Sequence, residues 1–170
     1  MATTGRPNIL FLFPDQHRWD FMESTPGMPV RMPNVEALAR RGVRFRQAIA
    51  NSPQCAPSRA TLASGRNYRR CGVVNNTVDY PLDQPTVYQH LRDSGYRVAG
   101  VGKFDLHKVT ADWGLDGQRC LDEWGFTDGL DNEGKGQGVT SGEDRPRGPY
   151  FKFLHDRDLV RAHADDFHRR

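Results

Sequence analysis

Long apolar runs, cysteine and charge of one sign are all scarce in this chain of 170 residues. The longest apolar run, Ile9 to Phe13, is far short of the ~20 residues that span a bilayer, so no membrane partner is expected. Met1 to Pro7 holds one Arg, and the apolar run after it stops at Pro14. A secretory leader needs an apolar core of roughly 7–15 residues, so the expected location is the cytoplasm. The three cysteines, Cys55, Cys71 and Cys120, are odd in number and widely spaced. That excludes a disulfide framework, and no pair has zinc-finger spacing. Without secretion, the sequon Asn75-Asn76-Thr77 has no meaning. Lys and Arg number 24 against 21 Asp and Glu, a net charge of +3. Such a balance suits an anionic substrate and an ordinary solvated surface equally. No block of like charge and no basic stripe interleaved with aromatics is present, so no nucleic-acid partner is expected.

What is present reads as a water-solvated α/β chain, with 36% hydrophobic residues and a mean hydropathy of −0.74. Its length suffices for one domain with a core. Asn8 to Phe13, bounded by Pro7 and Pro14, predicts a strand buried on both faces, as in a parallel sheet. Asp15-Gln16-His17 follows its C-terminal end, where open α/β sheets place ligands. Asn34 is a candidate cap for a helix to about Arg41, with Val35, Leu38 and Ala39 on its apolar face and Gly42 as its stop. Val43 to Ile49 alternates like a half-buried strand. Pro57 to Ser64 predicts a second helix, with Pro in its first turn and Gly65 as its stop. Pro85 to Ser94 predicts a third, with Val87, Tyr88 and Leu91 inward. Tyr96 to Val101 predicts a strand ending at Gly102-Lys103. The alternation of strand and helix indicates a layered α/β fold. Asp128 to Pro149, rich in Gly, Pro and charge, reads as a long loop. Tyr150 to Arg170 reads as a helix with a broken pattern.

The most informative stretch is Cys55-Ala56-Pro57-Ser58-Arg59, continuing to Leu62-Ala63-Ser64-Gly65-Arg66. Cys55 stands just before the second helix, where free N–H groups and the positive end of the helix dipole favour anions. Arg59, four residues on, can reach over the same terminus. A nucleophile and a bidentate cation would then converge on one small anionic site. A buried cysteine at an ordinary helix start, beside a surface Arg, is the other reading.

This stretch resembles the signature of the type I, formylglycine-dependent sulfatases of the alkaline-phosphatase-like superfamily. Arg6 to Gln16 is similar to the family's first strand and its acidic metal-binding pair, here Asp15-Gln16. Leu91 to Lys103 is similar to its helix, strand and catalytic Lys. The resemblance is best over residues 6–108. It implies a mostly parallel sheet between helices, incomplete in this chain, with residues 1–170 as the N-terminal part of the catalytic domain. It implies hydrolysis of a sulfate ester, with Cys55 oxidised to formylglycine by a formylglycine-generating enzyme, and with Arg59 and Lys103 as further catalytic residues. Asp15, Gln16 and the modified Cys55 would bind a divalent cation. Their hard oxygens suit Ca²⁺, Mg²⁺ or Mn²⁺.

Many family members carry His two positions after the Lys. Asp105 stands there in this chain, so the imidazole is either absent or supplied by His107. His17 is structural or touches substrate. The family's other metal ligands and its further His and Lys have no recognisable counterparts after Lys108, so a fragment is expected, inactive alone. A phosphonate or phosphate ester hydrolase of the same superfamily and a non-catalytic remnant stand as alternatives.

Overall fold

A computed structural model describes residues 5–134 and 146–169. The chain divides into two compact units, Met1–Ala48 and Ile49–Arg170.

The first unit contains one regular element among its described residues, α1 (Pro33–Arg41). The helix starts one residue before the expected cap. Pro33 occupies the first turn, and Glu36 donates its backbone N–H to the Met32 carbonyl at 3.0 Å. Pro suits that turn because its missing N–H would have no helical acceptor there. Arg40 and Arg41 lie in the last turn, on the negative end of the helix dipole. None of its residues is buried. The strands expected at 8–13 and 43–49 do not form. Leu10 and Leu12 are 84% and 74% exposed. Apolar periodicity alone does not make a strand, because backbone N–H and C=O groups need a ladder partner. No strand is present among the described residues of this unit to supply one.

The second unit holds the core. Helix α2 (Cys55–Ser64) begins two residues earlier than its Pro57 suggests, so Cys55 belongs to the first turn. Gln54 is the cap and its carbonyl accepts from Ser58 N–H at 3.0 Å. Gly65 ends the helix in the left-handed region (φ 65°), its N–H returning to Thr61. Ala56, Ala60 and Ala63 form a fully buried stripe at helical spacing. Thr86 caps α3 (Val87–Asp93) in a reciprocal box with Gln89, leaving Pro85 outside. Thr86 Oγ1 also donates to the Trp124 carbonyl at 2.5 Å. Tyr88 and Leu91 pack on the core as expected, while Val87 is exposed.

Strand β1 (Ala99–Gly102) is shorter than predicted and pairs in parallel with β2 (Asp128–Asp131), Ala99 opposite Asp128 and Gly102 opposite Asp131. Strand β2 corrects the reading of 128–149 as loop throughout. Asp-Gly-Leu-Asp has little intrinsic strand preference, and pairing with β1 overrides it. Within that expected loop, 135–145 lies outside the described residues. The single broken helix expected at 150–170 is two helices, α4 (Pro149–His155) and α5 (Val160–Arg169). The left-handed Asp158 lies between them (φ 55°). Glu133 accepts from the N–H groups of Tyr150 (3.1 Å) and Phe151 (3.2 Å), which satisfies two donors at the start of α4. The parallel pair with surrounding helices agrees with the α/β class.

Gly100 in β1 is required by contact. The Phe104 and Phe126 rings stack with centroids 4.8 Å apart. A Cβ at Gly100 would meet Phe104 Cζ at 2.6 Å and Phe126 Cε1 at 2.7 Å. Gly100→Ala should therefore lower unfolding free energy by about 1–3 kcal/mol, the usual cost of overpacking a filled site. Urea titration followed by Trp fluorescence measures this, and an unchanged midpoint would show that the ring pair yields freely.

Candidate functional site

The sequence-predicted residues of the second unit sit on α2 and on the turn after β1. Cys55 and Arg59 are one helical turn apart on α2, which places both on one side of the helix. The Cys55 thiol is free and half-buried. Ala56 N–H beside it donates to Asn76 Oδ1 at 3.0 Å, so one N-terminal donor of the helix is already used. Arg59 is buried, and its Nη1 donates to the backbone carbonyl of Lys103. The structure thus joins two of the three expected catalytic residues through a guanidinium–backbone bond. Of the pair itself, this fixes the Lys103 backbone. Its ammonium reaches elsewhere.

Lys103 Nζ lies 3.3 Å from Asp105 Oδ2, and Lys108 Nζ lies 2.9 Å from the same oxygen. Asp105 is 3% exposed and adopts a left-handed backbone (φ 53°), which Asp tolerates better than most residues. One buried carboxylate thereby holds two ammonium groups close to Arg59's partner residue.

His107 follows two residues after Asp105. The turn at Asp105 carries the imidazole into the core, where it is 5% exposed. Its Nε2 lies 2.9 Å from Asp131 Oδ2. The ring meets Trp113 and Trp124 edge-on, with centroids 5.8 and 5.0 Å away. Its Nδ1 is buried without a hydrogen-bond partner among the described residues. Asp131 is fully buried, and its Oδ1 accepts the Phe104 N–H at 3.0 Å. Burial pushes the Asp131 carboxyl above its ordinary value of 3.8, against the bonds from His107 and Phe104, which pull it down. No sequence pattern singled out Asp131. Its place at the end of an unpredicted strand hid it.

Asp15 and Gln16 lie in the first unit, in an exposed turn, with Gln16 left-handed (φ 59°). His17 Nε2 contacts Met22 Sδ at 3.4 Å on the surface. Asp15 and Gln16 offer hard oxygen donors, right in kind for an alkaline-earth ion and too few to cage one. Among the described residues, no three His, Cys, Asp or Glu side chains gather as a metal site. No helix among the described residues is long and apolar enough to cross a membrane.

A family model for sulfatases matches residues 7–163, so the chain belongs to the sulfatase family and has the alkaline-phosphatase-like α/β fold in part. It is 39% identical to the choline-sulfatase of Rhizobium meliloti over 110 residues, covering 65% of this chain and 21% of that protein. It is 30% identical to an N-acetylglucosamine-6-O-sulfatase of Bacteroides thetaiotaomicron over 131 residues, 77% of this chain and 22% of the relative. To human steryl-sulfatase it is 35% identical over 117 residues, 60% and 19% of the two chains. The matched segment is about a fifth of the length of these curated relatives.

The raised Asp131 carboxyl makes a signed prediction. A group that holds its proton more tightly when folded stabilises the fold below its unfolded pKa, and that contribution is lost as pH rises through the folded pKa. The stability of the natural chain relative to Asp131→Asn should therefore fall as pH is raised from about 4 towards neutrality. Urea unfolding of both proteins across that range measures the difference. A difference constant with pH would show that Asp131 does not titrate differently in the folded and unfolded chains.

Proposed function

We propose that this chain carries part of the active centre of a sulfuric ester hydrolase, with residue 55 acting as formylglycine. The observation that carries the reading is the placement of the Cys55-to-Arg59 motif in the first turns of α2, with Arg59 bound to the backbone of Lys103. In its hydrated aldehyde form, residue 55 would offer one hydroxyl to displace the alcohol from sulfur and a second whose deprotonation releases sulfate. Arg59 and Lys103 supply fixed positive charge for the ester's oxygens. Stabilising developing oxyanions by preset donors is usually the largest catalytic contribution. Asp15, Gln16 and the modified residue 55 would hold a divalent cation, Ca²⁺ or Mg²⁺ by donor type, which supplies Lewis-acid polarisation when bound. The relatives are named for choline, N-acetylglucosamine and steryl groups, three unlike alcohols that have the sulfate in common. A sulfate ester is accordingly the inferred substrate class.

Produced together with a formylglycine-generating enzyme, the chain should yield a residue-55 peptide lighter by the change from –CH₂SH to –CHO. Peptide mass spectrometry reads this directly, with Cys71 and Cys120 remaining thiols. An unmodified Cys55 would remove the central claim. In a protein of the relatives' length carrying this chain, an aryl sulfate should be cleaved in preference to an aryl phosphonate. The reverse preference would favour the phosphonate hydrolase reading.

Ligand counting gives another expectation. Ca²⁺ takes 6–8 oxygens, and three side chains leave most of that shell to water. By calorimetric titration, the modified 170-residue chain should bind Ca²⁺ more weakly than about 1 μM, and it should not turn over an aryl sulfate repeatedly. Micromolar binding with multiple turnovers would show that these residues suffice as a minimal enzyme.

A further inference from the structure

We propose that Asp131 is a positioning residue for the site, held by His107, and that together with Arg59 it clamps the single peptide group joining Lys103 to Phe104. The inference rests on the reading of Lys103 and Arg59 as sulfate-binding residues. The carbonyl of that peptide belongs to Lys103 and accepts from Arg59 Nη1. Its N–H belongs to Phe104 and donates to Asp131 Oδ1 at 3.0 Å. A cation lies at the oxygen end of one peptide dipole and a carboxylate at its N–H end. Both charges act in the direction of the dipole, so both bonds are charge-assisted. A peptide plane held at both ends cannot rotate about its flanking bonds, and the Lys103 Cα–Cβ direction depends on that plane.

The supports of the clamp come from different parts of the unit. Arg59 rises from α2, the helix that begins at Cys55. Asp131 ends β2, opposite Gly102 in the register, and its own N–H donates to the Gly117 carbonyl at 2.9 Å. Asp131 Oδ2 is left for His107 Nε2. With Asp131 ionised, its carboxylate only accepts, so His107 Nε2 is the donor in that bond. The ring meets Trp113 and Trp124 edge-on, and its buried Nδ1 has no hydrogen-bond partner among the described residues. His107 therefore acts on the site through Asp131, from a ring turned into the core. The helix bearing the nucleophile and the strand end bearing the Lys are registered to each other through one peptide.

Nuclear magnetic resonance on the 170-residue chain tests this with Asp131→Asn and Asp131→Ala. In the natural chain the ring nitrogen shifts of His107 should place its proton on Nε2. In Asp131→Asn the amide oxygen still accepts from Phe104, while the amide NH₂ now faces His107, so the proton should move to Nδ1. Phe104 amide exchange should stay protected in that variant. In Asp131→Ala it should quicken about tenfold or more, the effect of losing one charge-assisted hydrogen bond. The shifts that inorganic sulfate induces at Lys103 and Arg59 should need about tenfold more sulfate in Asp131→Ala and be largely rescued in Asp131→Asn. A merely structural role would lower stability without moving the proton or the sulfate midpoint of the folded protein. A natural-chain proton on Nδ1, or unchanged Phe104 exchange in folded Asp131→Ala, would overturn the clamp. If Asp131→Ala does not fold, the proton position and Phe104 protection in Asp131→Asn decide alone, and loss of that protection overturns it. Should sulfate move neither Lys103 nor Arg59 in the natural chain, the reading of the site fails, while the clamp is still judged by proton position and exchange.

Discussion

Asp131 brings a carboxylate into a place that water does not reach, and much of the ordered unit is arranged so that it can stay there. An isolated buried charge is costly, and it persists when donors surround it. The Phe104 N–H and the His107 ring supply them. Each donor then becomes a constraint. Phe104 must follow Lys103 in a turn that points its N–H at β2. His107 must be buried, which sets Trp113 and Trp124 around it. The left-handed Asp105 makes both possible, because it reverses the chain between the two donors. The parallel pairing of β1 and β2 places Asp131 level with Gly102, directly before the residue whose carbonyl Arg59 holds.

Legibility in the sequence follows how local each signal is. Helix α2 was readable because Pro57, Gly65 and the small residues at 56, 60 and 63 are local instructions, each with its own mechanism. Thr86 and Gln89 are equally local, yet Pro85 masked them as the helix start, since Pro is also favoured in a first turn. Strand β2 was not readable. Its four residues include two Asp and one Gly, and it is a strand only because β1 lies beside it. The opposite failure occurs at Ile9 to Phe13, where composition is right and the ladder partner is missing. The candidate site divides in the same way. Cys55, Arg59 and Lys103 could be named from a motif, whereas Asp131 makes its side-chain contacts across 24 and 27 residues, and no spacing rule reports such contacts. His107 was ambiguous because a two-residue offset cannot say which way the chain turns.

The electrostatics separate into two compartments with different tasks. Around Asp131 the partners are a backbone N–H and an imidazole, and the pair is enclosed by aromatic rings. Around Asp105 the partners are two ammonium groups that remain partly open, at 19% and 17% exposure for Lys103 and Lys108. Asp105 lies against both ammonium groups and so limits the repulsion between Lys103 and Lys108.

The same arrangement explains how the start of α2 and the end of β1 can be kept in register with so little regular structure between them. Two paired strands of four residues are a weak frame by themselves. What stiffens them here is side-chain bonding to the backbone at the points where the chain leaves the sheet: Arg59 to Lys103, Asp131 to Phe104, and Thr127 with both the N–H and the carbonyl of Val98. These bonds are made by groups that are wholly or partly buried, where competition from water is reduced and each is stronger than on the surface. A peptide gripped at both ends is held locally, without requiring that the whole sheet be rigid.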